Sequence, residues 1–208
     1  MKITFIADFY VDEIIGGGEL NNEELIRMLS ERHEVKKLKS RNVTLDYIEK
    51  NKDRFYIISN FIHLNEDIKE QIKGTNYVIY EHDHKYIRSR NPALYENFIA
   101  PDEEIVNYEF YRHALAILCQ SQFHSDIVEG NLKLDNIVNL GGNIWDDASL
   151  DKMMEHSRKQ KSGKYSIMNS SIDHKNTRGS VVYCEYKNFQ YEVINPAPYD
   201  QFLNNLSN

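Results

Sequence analysis

The chain has 208 residues, 41% of them hydrophobic, with 32 acidic against 25 basic side chains and a formal charge of −7. That length holds one large domain, or one domain and part of another, with enough apolar material for a buried core. The acidic balance and the lack of a clustered basic stretch argue against broad nucleic-acid binding, while a local anion site at a helix end stays open.

Residues 3–7 are an apolar run closed by Asp8, which reads as a first strand and is too short for a leader peptide or a membrane span. Residues 8–18 form a loop that ends in Gly16-Gly17-Gly18. From residue 19 to 32, Leu20, Leu25, Met28 and Leu29 recur at helical spacing. Residues 34–38 make a second strand of weak alternation, and residues 42–52 a short helix with Thr44 as its N-cap. A third strand spans 54–59, and a helix over 64–72 is closed by Gly74. The β-branched and aromatic residues 77–80 are a fourth strand that runs straight onto Glu81-His82-Asp83-His84. Residues 101–112, opening Pro-Asp-Glu-Glu, read as a helix. Residues 114–119 are short, apolar and bracketed by polar residues, as a buried parallel strand should be. Ser121 caps a helix that runs through Glu129 and closes at Gly130, and residues 135–140 are a sixth strand or extended segment.

This alternation of strands and helices predicts an α/β fold: a Rossmann-like parallel sheet with helices on both faces. Character changes at Gly141-Gly142-Asn143-Ile144-Trp145, which divides residues 1–145 from 146–208. Beyond it come a polar helix or linker over 150–161, a strand over 165–168, a helix over 176–187, a strand over 191–194 and, after Pro196 and Pro198, a helix over 199–206. Two strands are fewer than independent stability usually needs, so this part reads as an incomplete second α/β unit. Trp145, the single tryptophan, reads as a packing anchor of the hinge. The two cysteines, Cys119 and Cys184, stand outside any Cys-x-x-Cys pair and suit a reducing, cytoplasmic compartment.

Ligands of open α/β sheets gather at the carboxyl ends of the strands. Asp8 to Gly18, Ser59-Asn60, Glu81 to His84 and Gln120 to His124 all fall there. The three glycines lie too far from the first strand for a dinucleotide fingerprint and lack the lysine of a phosphate-binding P-loop. Leu38-Lys39-Ser40 closes the second strand without a ribose-binding acid, which also counts against a dehydrogenase or methyltransferase. Two readings of the glycines remain: backbone N–H groups facing an anion, or a flexible loop that needs positive φ. If residues 82–84 are extended, His82 and His84 point to one side and Asp83 to the other. Each histidine then suits a polar substrate contact or a structural hydrogen bond, and no third ligand at diagnostic spacing supports a metal. Arg88 and Arg90 suit phosphate or local acids. No G-x-S-x-G elbow marks a serine hydrolase.

Taken together these motifs resemble the retaining, nucleotide-sugar-dependent glycosyltransferases of the GT-B type. The resemblance rests on Gly16-Gly17-Gly18-Glu19 before the first helix, Glu81-His82-Asp83-His84 after the fourth strand, Ser121-Gln122-Phe123-His124 after the fifth, and the turn Asn139-Leu140-Gly141-Gly142-Asn143. It covers residues 1–145, with residues 164–206 similar to the opening of a second Rossmann-like domain. It implies that residues 1–145 shape the acceptor side. His82 and His84 would act on the transferred sugar. Gly16, Gly17, Gly18, Glu19, His124 and Lys175 would contact a UDP- or GDP-linked donor, with no catalytic metal and no separate cofactor. The second domain's acidic pair, spaced Glu-x7-Glu, is missing from residues 146–208. The chain is therefore expected to depend on a separate second half for transfer to its acceptor. The alternative is a non-catalytic interaction or structural protein on the same scaffold, with self-association through residues 150–208.

Overall fold

The computed structural model describes residues 1–14, 16–172 and 175–206, with every side chain among them except that of Tyr199. The chain divides into two compact units, Met1–Trp145 and Asp146–Asn208.

In the first unit, β1 (Lys2–Ala7) leads to α1 (Gly17–Ser30), β2 (Glu34–Lys39), α2 (Leu45–Lys50) and β3 (Phe55–Ile58). Then follow α3 (Glu66–Ile72), β4 (Asn76–Tyr80), α4 (Tyr108–Arg112), β5 (Ile117–Cys119), α5 (Gln122–Leu132) and β6 (Ile137–Asn139). The strands form one six-stranded sheet in the order β2-β1-β3-β4-β5-β6, and every pairing is parallel. This is a doubly wound, Rossmann-like α/β sheet whose order reverses between β1 and β3, the place where such sheets bind ligands.

Side chains alternate across the sheet as the pleat requires. Ile3, Phe5 and Ala7 of β1, Ile57 of β3 and Tyr80 of β4 form one core cluster with Ile26 of α1. Ile6, Tyr56, Ile58, Tyr77 and Ile79 face the opposite way, against Ile48 of α2, Ile68 and Ile72 of α3, Phe110 and Tyr111 of α4, and Val128 and Leu132 of α5. Each large side chain so buried contributes about 1.5–3 kcal/mol. Strand β2 is an edge strand, and its sequence Glu-Val-Lys-Lys-Leu-Lys leaves charged side chains along it.

Two helices differ from expectation. Residues 101–112 hold a single 3₁₀ turn, Asp102–Glu104, and then α4. The helix is interrupted because Val106 donates to Tyr86 (2.8 Å), Arg88 donates to Glu104 (2.9 Å), Ile87 bridges Ile105, and Asn107 turns left-handed at φ 57°. Tertiary pairing overrides the local helix signal there. Helix α5 does not close at Gly130; it continues to Leu132 and ends at the left-handed Lys133. Gly130 serves a different purpose, since a Cβ on it would meet the Ile99 side chain at 2.8 Å.

The second unit contains α6 (Asp147–Ser157), β7 (Tyr165–Met168), α7 (Thr177–Tyr186), β8 (Tyr191–Ile194) and α8 (Tyr199–Leu206). Strands β7 and β8 pair in parallel as a separate two-stranded sheet. Ile167, Cys184, Ile194 and Leu203 are its buried side chains among the described residues. Thr177 at the start of α7 donates to the Met168 carbonyl (2.6 Å) and accepts from the Ser170 amide (3.0 Å), which fixes the β7–α7 turn. Among the described residues, no helix is long and apolar enough to cross a membrane.

Candidate ligand site at the carboxyl edge of the first sheet

The glycines are not there for backbone freedom. Gly16 is the N-cap of α1 in an extended conformation (φ −135°), and Gly17 and Gly18 are already helical. The only described glycines with positive φ are Gly141 and Gly163, so the reading of Gly16–Gly18 as a loop that needs positive φ is corrected. What these glycines provide is space. A Cβ on Gly16 would collide with the Glu19 carboxylate, one on Gly18 would lie 3.8 Å from the His82 ring, and one on Gly17 would meet nothing within 4 Å. Ile15, just before them, lies outside the described residues.

His82 leaves the end of β4 and packs edge-on against Tyr80, with ring centroids 4.5 Å apart. Its Nε2 lies 3.1 Å from Asn22 Oδ1, and its Nδ1 takes the side-chain amide of Gln120. Asn22 Oδ1 also accepts from the Ser59 hydroxyl (2.9 Å). Burial, followed by the charge of Lys85, pushes the His82 pKa down to about 4, so the ring is neutral at physiological pH. Both nitrogens of His82 are engaged within the protein. A ligand beside Gly18 therefore meets the ring face and Gln120, and reaches a ring nitrogen only by displacing Gln120. Asn22 is fully buried, and its Nδ2 has no partner. The neighbouring Asn21 donates to the Gly17 carbonyl (3.0 Å) and accepts from the Ile144 amide (2.8 Å).

His84 has different surroundings. Its backbone is left-handed (φ 55°), so residues 82–84 are not extended and the alternation argument does not apply to them. Its Nδ1 lies 2.7 Å from the Tyr86 hydroxyl, and its ring packs edge-on against His124, 4.8 Å away. Burial pushes the His84 pKa down to about 4 and lowers that of His124 as well. His124 Nε2 is buried without a partner, while its backbone amide is capped by Ser121 (3.1 Å).

Below the histidines lies a buried ion pair. Glu81 accepts from Lys85 (3.1 Å), from the Asp83 amide (2.9 Å) and from the Tyr111 hydroxyl. Burial alone would raise the Glu81 pKa; Lys85 and then the Tyr111 hydroxyl outweigh it and hold the carboxyl well below the usual range. Lys85 also binds Asp83, and Asp83 takes Arg90 as well (3.0 Å). Arg88 lies 3.8 Å from Glu104. Both arginines thus pair with local acids.

At the order reversal, Asp8 joins three segments. It accepts from the Ser40 hydroxyl beyond β2, and from the backbone amides of Ile62 (2.8 Å) and His63 (3.1 Å) beyond β3. His63 Nδ1 lies 3.5 Å from the same carboxylate.

The structure thus brings Gly18, His82, Asn22, Gln120 and Ser59 into one polar cluster, and His84 with His124 into a second. The two are linked through the Glu81–Lys85 segment. Lys175 belongs to the other unit, exposed just before α7 beside Asn176, and its neighbours Asp173 and His174 lie outside the described residues. Asn22, Lys85, Tyr111 and His63 are site neighbours that the sequence alone did not single out. Among the described residues, no group of three or more His, Cys, Asp and Glu side chains is placed to hold a metal ion. No protein-family model matches the chain and no curated protein is similar to it. The class that the fold defines is a Rossmann-like parallel α/β protein with its polar clusters at the carboxyl edge of the sheet.

Proposed function

We propose that the chain acts in nucleotide-sugar-dependent glycosyl transfer, with the carboxyl edge of the first sheet as the sugar-facing wall. The observation that supports this most is that a neutral His82 stands where a side chain on Gly18 would just reach it. The first turn of α1 opens onto an uncharged imidazole with no side chain between them. Glycosyl transfer develops positive charge on the sugar ring, which a nearby cation would oppose. Neutral imidazoles and amides can hold hydroxyl groups without that penalty. On this reading His82 and His84 face the transferred sugar, with His82 acting through Gln120. Gly16, Gly17, Gly18, Glu19 and His124 contact the donor. A water-free cleft would protect the reaction from hydrolysis.

Calorimetric titration with a panel of UDP- and GDP-sugars tests this. At least one should bind, and His84→Ala should weaken it by about tenfold, roughly 1.4 kcal/mol. If no nucleotide-sugar binds or turns over, the reading is wrong.

A second reading, an interaction protein, is favoured by the second unit. Tyr186 is 80% exposed, Tyr183 56% and Val182 55% along α7, and Tyr165 is 52% exposed on β7 of the two-stranded sheet. Such a surface favours association. Sedimentation velocity over a concentration series would show it; a monomer at every concentration would count against it.

A further inference from the structure

Asn22 is completely enclosed, at 0% exposure. Its Oδ1 accepts from the Ser59 hydroxyl at 2.9 Å and lies 3.1 Å from His82 Nε2. Its Nδ2 is buried without a partner among the described residues. Turning the amide over would bring Nδ2 to both neighbours, so an interior N–H₂ left unpaired here calls for a reason.

The reason lies on the other side of the imidazole. The Asn21 amide is fixed by the backbone, since it donates to the Gly17 carbonyl and accepts from the Ile144 amide. Asn21 Oδ1 therefore takes the Tyr80 hydroxyl proton, at 3.4 Å. The Tyr80 oxygen is left to accept, and Gln120 donates to it. Gln120 thus turns its Nε2, not its oxygen, toward His82 Nδ1. A donor at Nδ1 requires a bare nitrogen there. The single proton of the neutral ring then sits on Nε2, and Nε2–H requires the oxygen of Asn22. A reversed Asn22 would set N–H against N–H at one ring nitrogen or the other.

We infer that Asn22 is a positioning residue: it holds His82 as the Nε2–H tautomer, so that the bare Nδ1 is a hydrogen-bond acceptor screened by Gln120, and the ligand group that displaces Gln120 there is a hydroxyl. The Nδ1 side of the ring faces the glycine turn, because a Cβ on Gly18 would lie 3.9 Å from Nδ1. A phosphate dianion or a carboxylate carries acceptors only and would set lone pair against lone pair. A sugar hydroxyl donates to Nδ1 and can accept from the released Gln120 amide. That the hydroxyl belongs to a donor sugar rests on the functional reading above; the tautomer and the role of Asn22 do not.

The test is long-range proton–nitrogen NMR of the imidazoles in the full chain at neutral pH. His82 is identified by the signals lost in His82→Gln. Wild type should show a protonated Nε2 and a bare Nδ1. Gln120→Ala should keep that pattern, because the Asn22 oxygen remains. Asn22→Leu/Gln120→Ala should reverse it to Nδ1–H, since a buried Nε2–H would then have no acceptor. A packing role for Asn22 would lower stability without moving the ring proton. Nδ1–H in wild type or in Gln120→Ala, or Nε2–H kept in the double variant, overturns the role of Asn22. If the double variant fails to fold, Gln120→Ala alone decides, because there only Asn22 remains to hold the ring. Glucose, galactose, mannose, N-acetylglucosamine and inorganic phosphate are then titrated separately into Gln120→Ala. At least one sugar should move the His82 Nδ1 signal at a concentration at least about tenfold below any phosphate response. No response to any sugar, or phosphate binding as tightly, ends the hydroxyl assignment. Nucleotide-sugar calorimetry on wild type separates the two readings. A bare Nδ1 without any nucleotide-sugar binding ends the glycosyltransferase reading alone. Nucleotide-sugar binding to a protein whose His82 is Nδ1–H ends the role of Asn22 alone.

Discussion

Lys85→Met removes the ammonium that keeps Glu81 ionised in the interior. Both partners are buried, Lys85 at 3% and Glu81 at 0% exposure. The carboxylate would keep the Tyr111 hydroxyl and the Asp83 amide but lose its countercharge. The Glu81 carboxyl is held at about 2, against an ordinary 4.5. At about 1.4 kcal/mol per pKa unit, that shift corresponds to roughly 3 kcal/mol of folded-state stability at neutral pH. It agrees with the range of about 3–5 kcal/mol for breaking a buried pair from one side. The expected loss is therefore about 3–4 kcal/mol. It should appear in urea unfolding followed by the fluorescence of Trp145, which lies in the same unit. Methionine fills the volume beside Phe61, whose ring the lysine nitrogen now overlies at 5.4 Å. The double variant Glu81→Gln/Lys85→Met keeps an acceptor for Tyr111 and should recover about 2 kcal/mol relative to Lys85→Met. The pH dependence follows from the sign of each shift. In wild type the depressed Glu81 contributes stability above about 4.5, lost as pH falls through about 2. In Lys85→Met burial raises the carboxyl instead, so the deficit of the variant should begin to shrink above about 4.5, as the buried Glu81 takes up its proton, and go on shrinking towards about 2 as wild type loses its own support. A loss under about 1 kcal/mol, or a double variant no more stable than Lys85→Met, would refute the account of this pair.

His82 and His84 both sit near 4, below the ordinary 6.5, so they favour the folded state above about 6.5 and withdraw that support as pH falls through about 4. Thermal melts should show stability declining across that window while the two imidazoles stay neutral by NMR; a melting temperature flat down to about 4 would contradict the burial argument. Gly17→Ala enters open space and Gly18→Ala makes an ordinary contact with His82 at 3.8 Å, so both variants should fold. Gly17→Ala should gain up to about 1 kcal/mol from helix propensity. The double alanine variant should lose nucleotide-sugar binding under the proposed function, and calorimetry showing unchanged binding would count against the role of this turn.

The centre of the sheet was legible because its strands are short apolar runs with both faces covered. Phe55–Ile58 and Ile117–Cys119 have nothing else to be once polar residues bracket them. The chemistry at the strand ends was legible only as an address. His82 and His84 look equivalent in sequence, yet the left-handed backbone at residue 84 gives them different partners. Asn21 and Asn22 read as the polar face of an amphipathic helix, but they are 2% and 0% exposed because the ends of β3 and β4 hydrogen-bond to that face. Lys85 reads as a surface lysine; only the fold shows that Glu81 waits four residues earlier in the same turn. Helix periodicity records which side is apolar. It does not record which polar side chains will find partners across the sheet.

Asn21 also bears on how this protein can be cut and recombined. The glycine pair Gly141-Gly142 offers the obvious place to join the first unit to a different sequence. A junction there would leave Asn21 without the Ile144 amide that it accepts from. The same side chain holds the Gly17 carbonyl, so a graft made at the glycines would loosen the first turn of α1, more than a hundred positions away. Chimeras should keep the native residues through Trp145 and place the join after it.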